Sequence, residues 1–111
     1  NVFATLGARV GSITDNNLGG WYSYRMAKAA LVMLTRTLAV ESARRNAFTV
    51  CVALHPGTVN TALSKPFQRS VADGTLVSPS NAAANLLRVI DGVDPSQSGH
   101  HLAWDGTQIP Y

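Results

Sequence analysis

The stretch that most restricts the fold is Thr49-Val50-Cys51-Val52-Ala53-Leu54-His55, a β-branched, apolar run that stops at Pro56-Gly57. A strand with one wet face alternates apolar and polar side chains. A run without that alternation must be covered on both faces, which is the situation of a strand inside a parallel sheet flanked by helices. The rest of the chain therefore has to supply parallel neighbours for this strand and helices for both of its faces.

Candidates for both are present. Residues 2–6 form a short apolar run that reads as a strand, and residues 7–20, with Gly, Asn and Asp among them, read as a loop. A helical pattern covers residues 21–45. Ala27, Leu31, Leu34 and Leu38 recur at steps of three and four, and Ala30, Met33, Thr37 and Val40 make a second apolar face. A helix apolar on two faces is expected to pack on the sheet with one and on a partner subunit or helix with the other. Residues 58–77, with Pro66 and Gly74 inside, read as irregular. Ser78 suits a helix N-cap and Pro79 the first helical position, and the helix that follows carries Ala82, Ala83, Leu86, Leu87 and Ile90 before Gly92. A polar turn around Pro95 leads to a last short strand at residues 100–104, closed by Asp105-Gly106. Strand, helix, strand, helix, strand predicts an α/β fold with right-handed crossovers on a parallel sheet.

Composition narrows the function classes. With 111 residues there is room for one domain, and 46% hydrophobic against 14% charged residues is a globular balance. The net charge is +3, but the nine Lys and Arg are scattered and Arg44-Arg45 is their longest run, which fits a solvated surface rather than a nucleic-acid patch. Only a steep salt dependence of oligonucleotide binding would revive an anion-binding reading. The single cysteine, Cys51, gives no intrachain disulfide and no metal-ligand spacing; His55, His100 and His101 lack such spacing too, so no metal is expected. No stretch is apolar enough to span a membrane and no leader or lipidation motif is present, so a cytoplasmic location is expected. The chain opens at Asn1, and Val2-Phe3-Ala4 has nothing before it to set up strand pairing, so the start reads as a cut.

The strongest chemical signal is Tyr24-Arg25-Met26-Ala27-Lys28. A spacing of four puts Tyr24 and Lys28 on one helix face, one turn apart. A phenol ordinarily ionises near pH ~10, too high for efficient proton transfer near neutrality, and a nearby ammonium favours the phenolate. A Tyr and Lys so placed can form a proton-transfer pair. They also fit an exposed helix face with a cation over an aromatic ring. Pro56-Gly57 ends a parallel strand at its carboxyl edge, where open α/β sheets bind ligands, although a plain turn would look the same. A backbone group near Val59 and the Thr61 hydroxyl could hydrogen-bond an amide-bearing ligand at that edge.

Taken in context, the segment Gly19-Gly20-Trp21-Tyr22-Ser23-Tyr24-Arg25-Met26-Ala27-Lys28-Ala29-Ala30-Leu31 resembles the active-site helix of short-chain dehydrogenases/reductases. Within them it is most similar to the subgroup related to the bacterial C-factor and to sniffer-type carbonyl reductases. Arg9-Val10-Gly11-Ser12-Ile13 before the helix, His55-Pro56-Gly57-Thr58-Val59-Asn60-Thr61 after the next strand, and Ala103-Trp104-Asp105-Gly106 with Ile109-Pro110 fall in that family's order. The resemblance covers essentially all of the chain. It implies the C-terminal half of a Rossmann-type doubly wound parallel sheet, without the N-terminal dinucleotide-binding half. It implies hydride transfer between a nicotinamide cofactor, NADP or NAD, and a carbonyl or alcohol substrate. Tyr24 would be the acid/base, and Lys28 its partner and a ligand of the nicotinamide ribose. Pro56, Gly57, Val59 and Thr61, with Tyr24 and Lys28, would line the cofactor. Residues 62–77 would fall at the substrate loop, with Leu63 and Phe67 facing substrate. The resemblance also implies a homo-oligomer through the helix at residues 21–45.

Two departures from the family pattern stand out. The catalytic serine expected at the end of the first strand is replaced by Gly7-Ala8, leaving Ser12, twelve residues before Tyr24, as the candidate substitute. Its alternative role is a loop residue capping a turn. The second departure is that no G-x-G-x-x-G or related Gly pattern precedes a helix, so NAD cannot be told from NADP, and the 111 residues alone are expected to be inactive. The rival reading is a non-catalytic fragment or degenerate copy that acts only as a folding or association module. Arg25 and Arg36 are expected to point to solvent, and Trp21 and Trp104 to serve packing.

Overall fold

The computed structural model describes residues 1–70 and 75–111, and every side chain among them except those of residues 67, 69 and 70. Strand β1, Val2–Leu6, lies parallel to β2, Val50–His55, in a register that runs from Val2 opposite Val50 to Leu6 opposite Leu54. Strand β5, His101–Ala103, lies parallel along the other side of β2, with Ala53 opposite His101. The unalternating run is thus the central strand, and Val52, Ala53 and Leu54 are at most 1% exposed.

The two faces of the sheet are chemically different. Helix α2, Pro79–Gly92, covers one face: Leu86, Val89 and Ile90 pack on Val52, Leu54 and Leu102. It starts where the Ser78 hydroxyl accepts the N–H of Asn81 at 3.2 Å, with Pro79 in the first turn. Helix α1, Tyr22–Arg44, covers the other face, which is partly polar. There the Thr35 hydroxyl, fully buried, donates to the Leu31 carbonyl at 2.9 Å and lies 3.2 Å from the Thr5 hydroxyl.

Helix α1 corrects the expectation about its faces. Its sheet-facing stripe is Lys28, Val32, Thr35 and Ala39, at steps of four, three and four. Neither apolar stripe read from the sequence packs on the sheet as a whole: Leu34 is 50% exposed and Met33 67%. The stripe was masked because two of its members, the half-buried Lys28 and the buried Thr35, are polar. A threonine can enter a helix interface when its hydroxyl returns to the carbonyl four residues back, as Thr35 does.

Two small strand pairs also depart from expectation. Strand β6, Gln108–Ile109, turns back antiparallel on β5, so the sheet order is β1-β2-β5-β6 and the strand that Asp105-Gly106 closes is not the last, because these residues make a hairpin turn into β6. The Asp105 carboxylate holds that turn by accepting the Thr107 N–H at 3.1 Å and its hydroxyl at 2.6 Å. Within the stretch expected to be irregular, β3, Thr58–Val59, pairs in parallel with β4, Leu76–Val77. Gly74 lies outside the described residues. Among the described residues, no helix is long and apolar enough to cross a membrane.

Candidate active site

The chain enters α1 through three consecutive left-handed residues, Gly19 (φ 68°), Gly20 (φ 75°) and Trp21 (φ 50°). For Trp21 that conformation costs roughly 1–2 kcal/mol, so the surroundings must impose it. Arg25 does so, correcting the expectation that it points to solvent. Its guanidinium donates to the carbonyls of Gly20 at 2.9 Å, Gly19 at 3.0 Å and Val10 at 3.2 Å, and lies 5.9 Å from the centre of the Trp21 ring. One side chain therefore ties the two ends of the β1–α1 connection together.

Tyr24 sits in the first turn of α1 and lines a cleft of about 1010 Å³. One turn on, the Lys28 ammonium lies 5.8 Å from the centre of the Tyr24 ring and donates to the Leu6 carbonyl at 3.0 Å. The lysine is placed by backbone packing as well as by that bond. A Cβ on Gly11 would come within 2.7 Å of the Lys28 carbonyl carbon, so only glycine lets the 3-10 turn at Arg9–Gly11 press this closely on α1.

The facing wall of the cleft comes from the end of β2 and the segment after it, with Pro56, Gly57, Thr58, Val59 and Thr61. Gly57, at φ 83°, makes the turn out of the strand. Ser64, which the sequence reading missed, wires this wall: its hydroxyl donates to the Val59 carbonyl and accepts the Thr61 N–H at 3.2 Å. The Thr61 hydroxyl accepts the Ser64 N–H at 3.4 Å, and its own proton has no acceptor among the described residues. Leu63, exposed, lines the same cleft, and the Phe67 side chain lies outside the described residues.

Ser12 is not brought to the cleft. It is 2% exposed; its hydroxyl donates to the Pro110 carbonyl and accepts the Asp15 N–H at 3.2 Å. Next to it, the Thr14 N–H and hydroxyl reach the Tyr111 carbonyl at 2.8 and 2.6 Å. Ser12 thus holds the C-terminal strand tail against the loop and caps the turn at Asp15. The strand-end residue Ala8 does line the cleft, with no hydroxyl to offer.

In that region stands His55, a further cleft-lining residue that sequence reasoning assigned only a structural role. Its Nδ1 accepts the backbone N–H of Arg9 at 3.3 Å. Burial, then the Arg9 guanidinium and the neighbouring His101, push its pKa down to about 4. The signal available in the sequence was its place, the last residue of a buried parallel strand, where ligand-contacting groups collect.

No family model matches the chain. It is 41% identical over 104 residues to the C-signal protein of Myxococcus xanthus, covering 94% of this chain and 57% of that protein. It is 38% identical over 104 residues to the 1-hydroxy-2-glutathionyl-2-methyl-3-butene dehydrogenase of Rhodococcus sp. strain AD45, covering 94% of this chain and 44% of that enzyme. Among solved structures it superposes on the carbonyl reductase Sniffer of D. melanogaster with a TM-score of 0.83 at 26% identity, over 99% of this chain and 41% of that one. On the NADPH-bound carbonyl reductase from chicken fatty liver the TM-score is 0.82 at 32% identity, over 99% of this chain and 42% of that one. The chain spans about half the length of the curated relatives it matches.

Proposed function

We propose, on the premise that this chain is related in sequence and fold to the short-chain dehydrogenases/reductases, C-factor and sniffer-type carbonyl reductases among them, that it forms the substrate and nicotinamide side of an NAD(P)-dependent oxidoreductase site. The observation that carries this reading is the juxtaposition of Tyr24, with Lys28 one turn behind it, across an open cleft from the segment running from Pro56 to Thr61. Residues 1–111 are read as the C-terminal part of a Rossmann-like domain.

The residues present fit the nicotinamide end of such a cofactor. The cleft is not filled by side chains, its volume of about 1010 Å³ is that of a sizeable ligand site, and Thr61 has a hydroxyl proton to donate on one wall. Pro56, Gly57, Val59 and Thr61 would hold the ring and its carboxamide, and Lys28 would reach the ribose. A dinucleotide held there would supply a hydride to the carbonyl carbon. Tyr24 donates its phenolic proton to the carbonyl oxygen. The Lys28 ammonium stabilises the negative charge that develops on the phenol oxygen as that proton leaves. In the alcohol-to-carbonyl direction the same oxygen takes the proton back.

The 111 residues contain no G-x-G-x-x-G turn before a helix to receive a pyrophosphate, so on their own they are proposed not to turn over. The reading is tested on the complete protein with a panel of aldehydes and ketones and each reduced cofactor. Reduction with NADPH or NADH that falls in Lys28→Ala together with cofactor affinity supports it. Turnover and cofactor binding indifferent to Lys28→Ala would overturn it.

A further inference from the structure

The strand-end hydroxyl that Gly7-Ala8 lack leaves the substrate oxygen one hydrogen-bond donor short in the reading above, and the structure shows what stands beside that place. Leu6 is opposite Leu54, and the Gly7 N–H donates to the Leu54 carbonyl at 2.7 Å, so the next residue of β2, His55, is adjacent to Gly7. A side chain at Gly7 has no room: its Cβ would lie 2.8 Å from His101 Nε2. Two imidazoles thus stand near the place where the hydroxyl is missing, His55 at the end of β2 and His101, whose ring reaches Gly7 from the start of β5.

Of the two, His55 can act on a ligand. His101 is fully buried, whereas His55 is only half-buried and lines the cleft with Tyr24. Its protonation pattern is set by the backbone. A ring nitrogen that accepts an N–H carries no proton, so the Arg9 N–H on Nδ1 puts the single proton of the neutral imidazole on Nε2. Burial, the Arg9 guanidinium and His101 all oppose a second proton. Nε2 makes no hydrogen bond to the described residues. It is a fixed N–H donor at the end of β2, with its partner not yet assigned.

Building on the oxidoreductase reading, we propose that His55 Nε2–H donates a hydrogen bond to the substrate carbonyl oxygen, alongside Tyr24, in place of the strand-end serine. The proton stays on His55 throughout: the hydride adds to carbon, the Tyr24 proton goes to oxygen, and the imidazole only steadies the charge that builds on that oxygen.

The test uses the complete protein. ¹⁵N NMR of histidine-labelled protein at pH 7 should show His55 neutral and protonated on Nε2. An Nδ1–H tautomer or an imidazolium would overturn the proposal, whatever the enzyme turns over. In kinetics with NADPH and a carbonyl substrate, His55→Ala should lower kcat about 10²-fold, the size expected for one lost donor to a developing oxyanion, with the NADPH Kd within about twofold. His55→Gln, which keeps an N–H donor and guards against a folding defect in the alanine variant, should recover part of that loss. If Tyr24→Phe is crippled and His55→Ala is not, the oxidoreductase reading stands and the role of His55 falls. If Tyr24→Phe is unimpaired, the oxidoreductase reading falls and takes the His55 role with it.

Discussion

Gly7 and His101 compete for one space: a Cβ on Gly7 would stand 2.8 Å from His101 Nε2, and His101 is fully buried with no room to retreat. The glycine at the end of β1 and the imidazole in β5 are therefore a matched pair. Gly7→Ser should destabilise the fold by about 1–3 kcal/mol, the usual cost of overpacking a core. Ala8→Ser, one residue on and in the cleft, should be tolerated. Urea unfolding of the two variants checks this, and equal stability of Gly7→Ser and wild type would contradict it.

His101 also predicts a pH dependence. Neither of its ring nitrogens has a hydrogen-bond partner among the described residues, and burial, followed by the Arg9 guanidinium, pushes its pKa down to about 4 from the ordinary 6.5. The unfolded chain therefore binds a proton at a higher pH than the folded one. The stability is fully present above pH 6.5 and is lost as pH falls through the folded value near 4. The loss attributable to His101 should be about 2 kcal/mol at pH 5. His101→Leu should reduce the slope of the stability–pH curve in that window to what His55 contributes, since it removes one of the two titrating histidines and two unpaired polar atoms. An unchanged slope in the variant would refute the assignment.

Arg25 should behave as a positioning residue. Its three carbonyl bonds hold Gly19, Gly20 and the loop at Val10 in place for the Tyr24 turn. Arg25→Ala should cost about 1–2 kcal/mol and speed amide exchange in residues 19–21. Arg25→Lys should not rescue it, because a point ammonium cannot reproduce a planar fork across three acceptors. Slow exchange in both variants would show that the loop holds itself.

The outer side of α1 predicts self-association. Met26, Met33 and Leu34 are 65%, 67% and 50% exposed along one helix, an apolar stripe that single-chain packing leaves bare. A second copy of this helix is the proposed cover. Sedimentation of the complete protein should give a dimer or larger assembly, and Met33→Asp with Leu34→Asp should shift it towards monomer. A concentration-independent monomer in the unsubstituted protein would count against the proposal.

The sequence was legible where a single physical rule governed. The unalternating run 49–55 implied a covered central strand, and Ser78-Pro79 implied a helix start; both hold in the structure. It was less legible where polar groups pack. Lys28 and Thr35 hid the true buried stripe of α1, because a threonine hydroxyl satisfied by its own helix counts as core only once the bond is seen. Arg25 was misread for the same reason, since its acceptors are backbone carbonyls that no side-chain pattern reveals. In the site, Tyr24, Pro56, Gly57, Val59 and Thr61 line one cleft, a grouping that the family resemblance implied and their spacing alone did not. Ser12 does not join them, because the bond that claims its hydroxyl runs to Pro110, nearly a hundred positions away.

The central claim is that Tyr24 delivers the proton in a hydride transfer at this cleft. Its most direct test is single-turnover reduction of a carbonyl substrate by the complete protein saturated with NADPH, or with NADH if that is the cofactor it binds. The reaction is followed by loss of cofactor absorbance in wild type and in Tyr24→Phe, with the cofactor Kd measured on the same samples. The account predicts a rate lower by about two to four orders of magnitude in Tyr24→Phe at unchanged Kd. A Tyr24→Phe protein that transfers hydride as fast as wild type would contradict it.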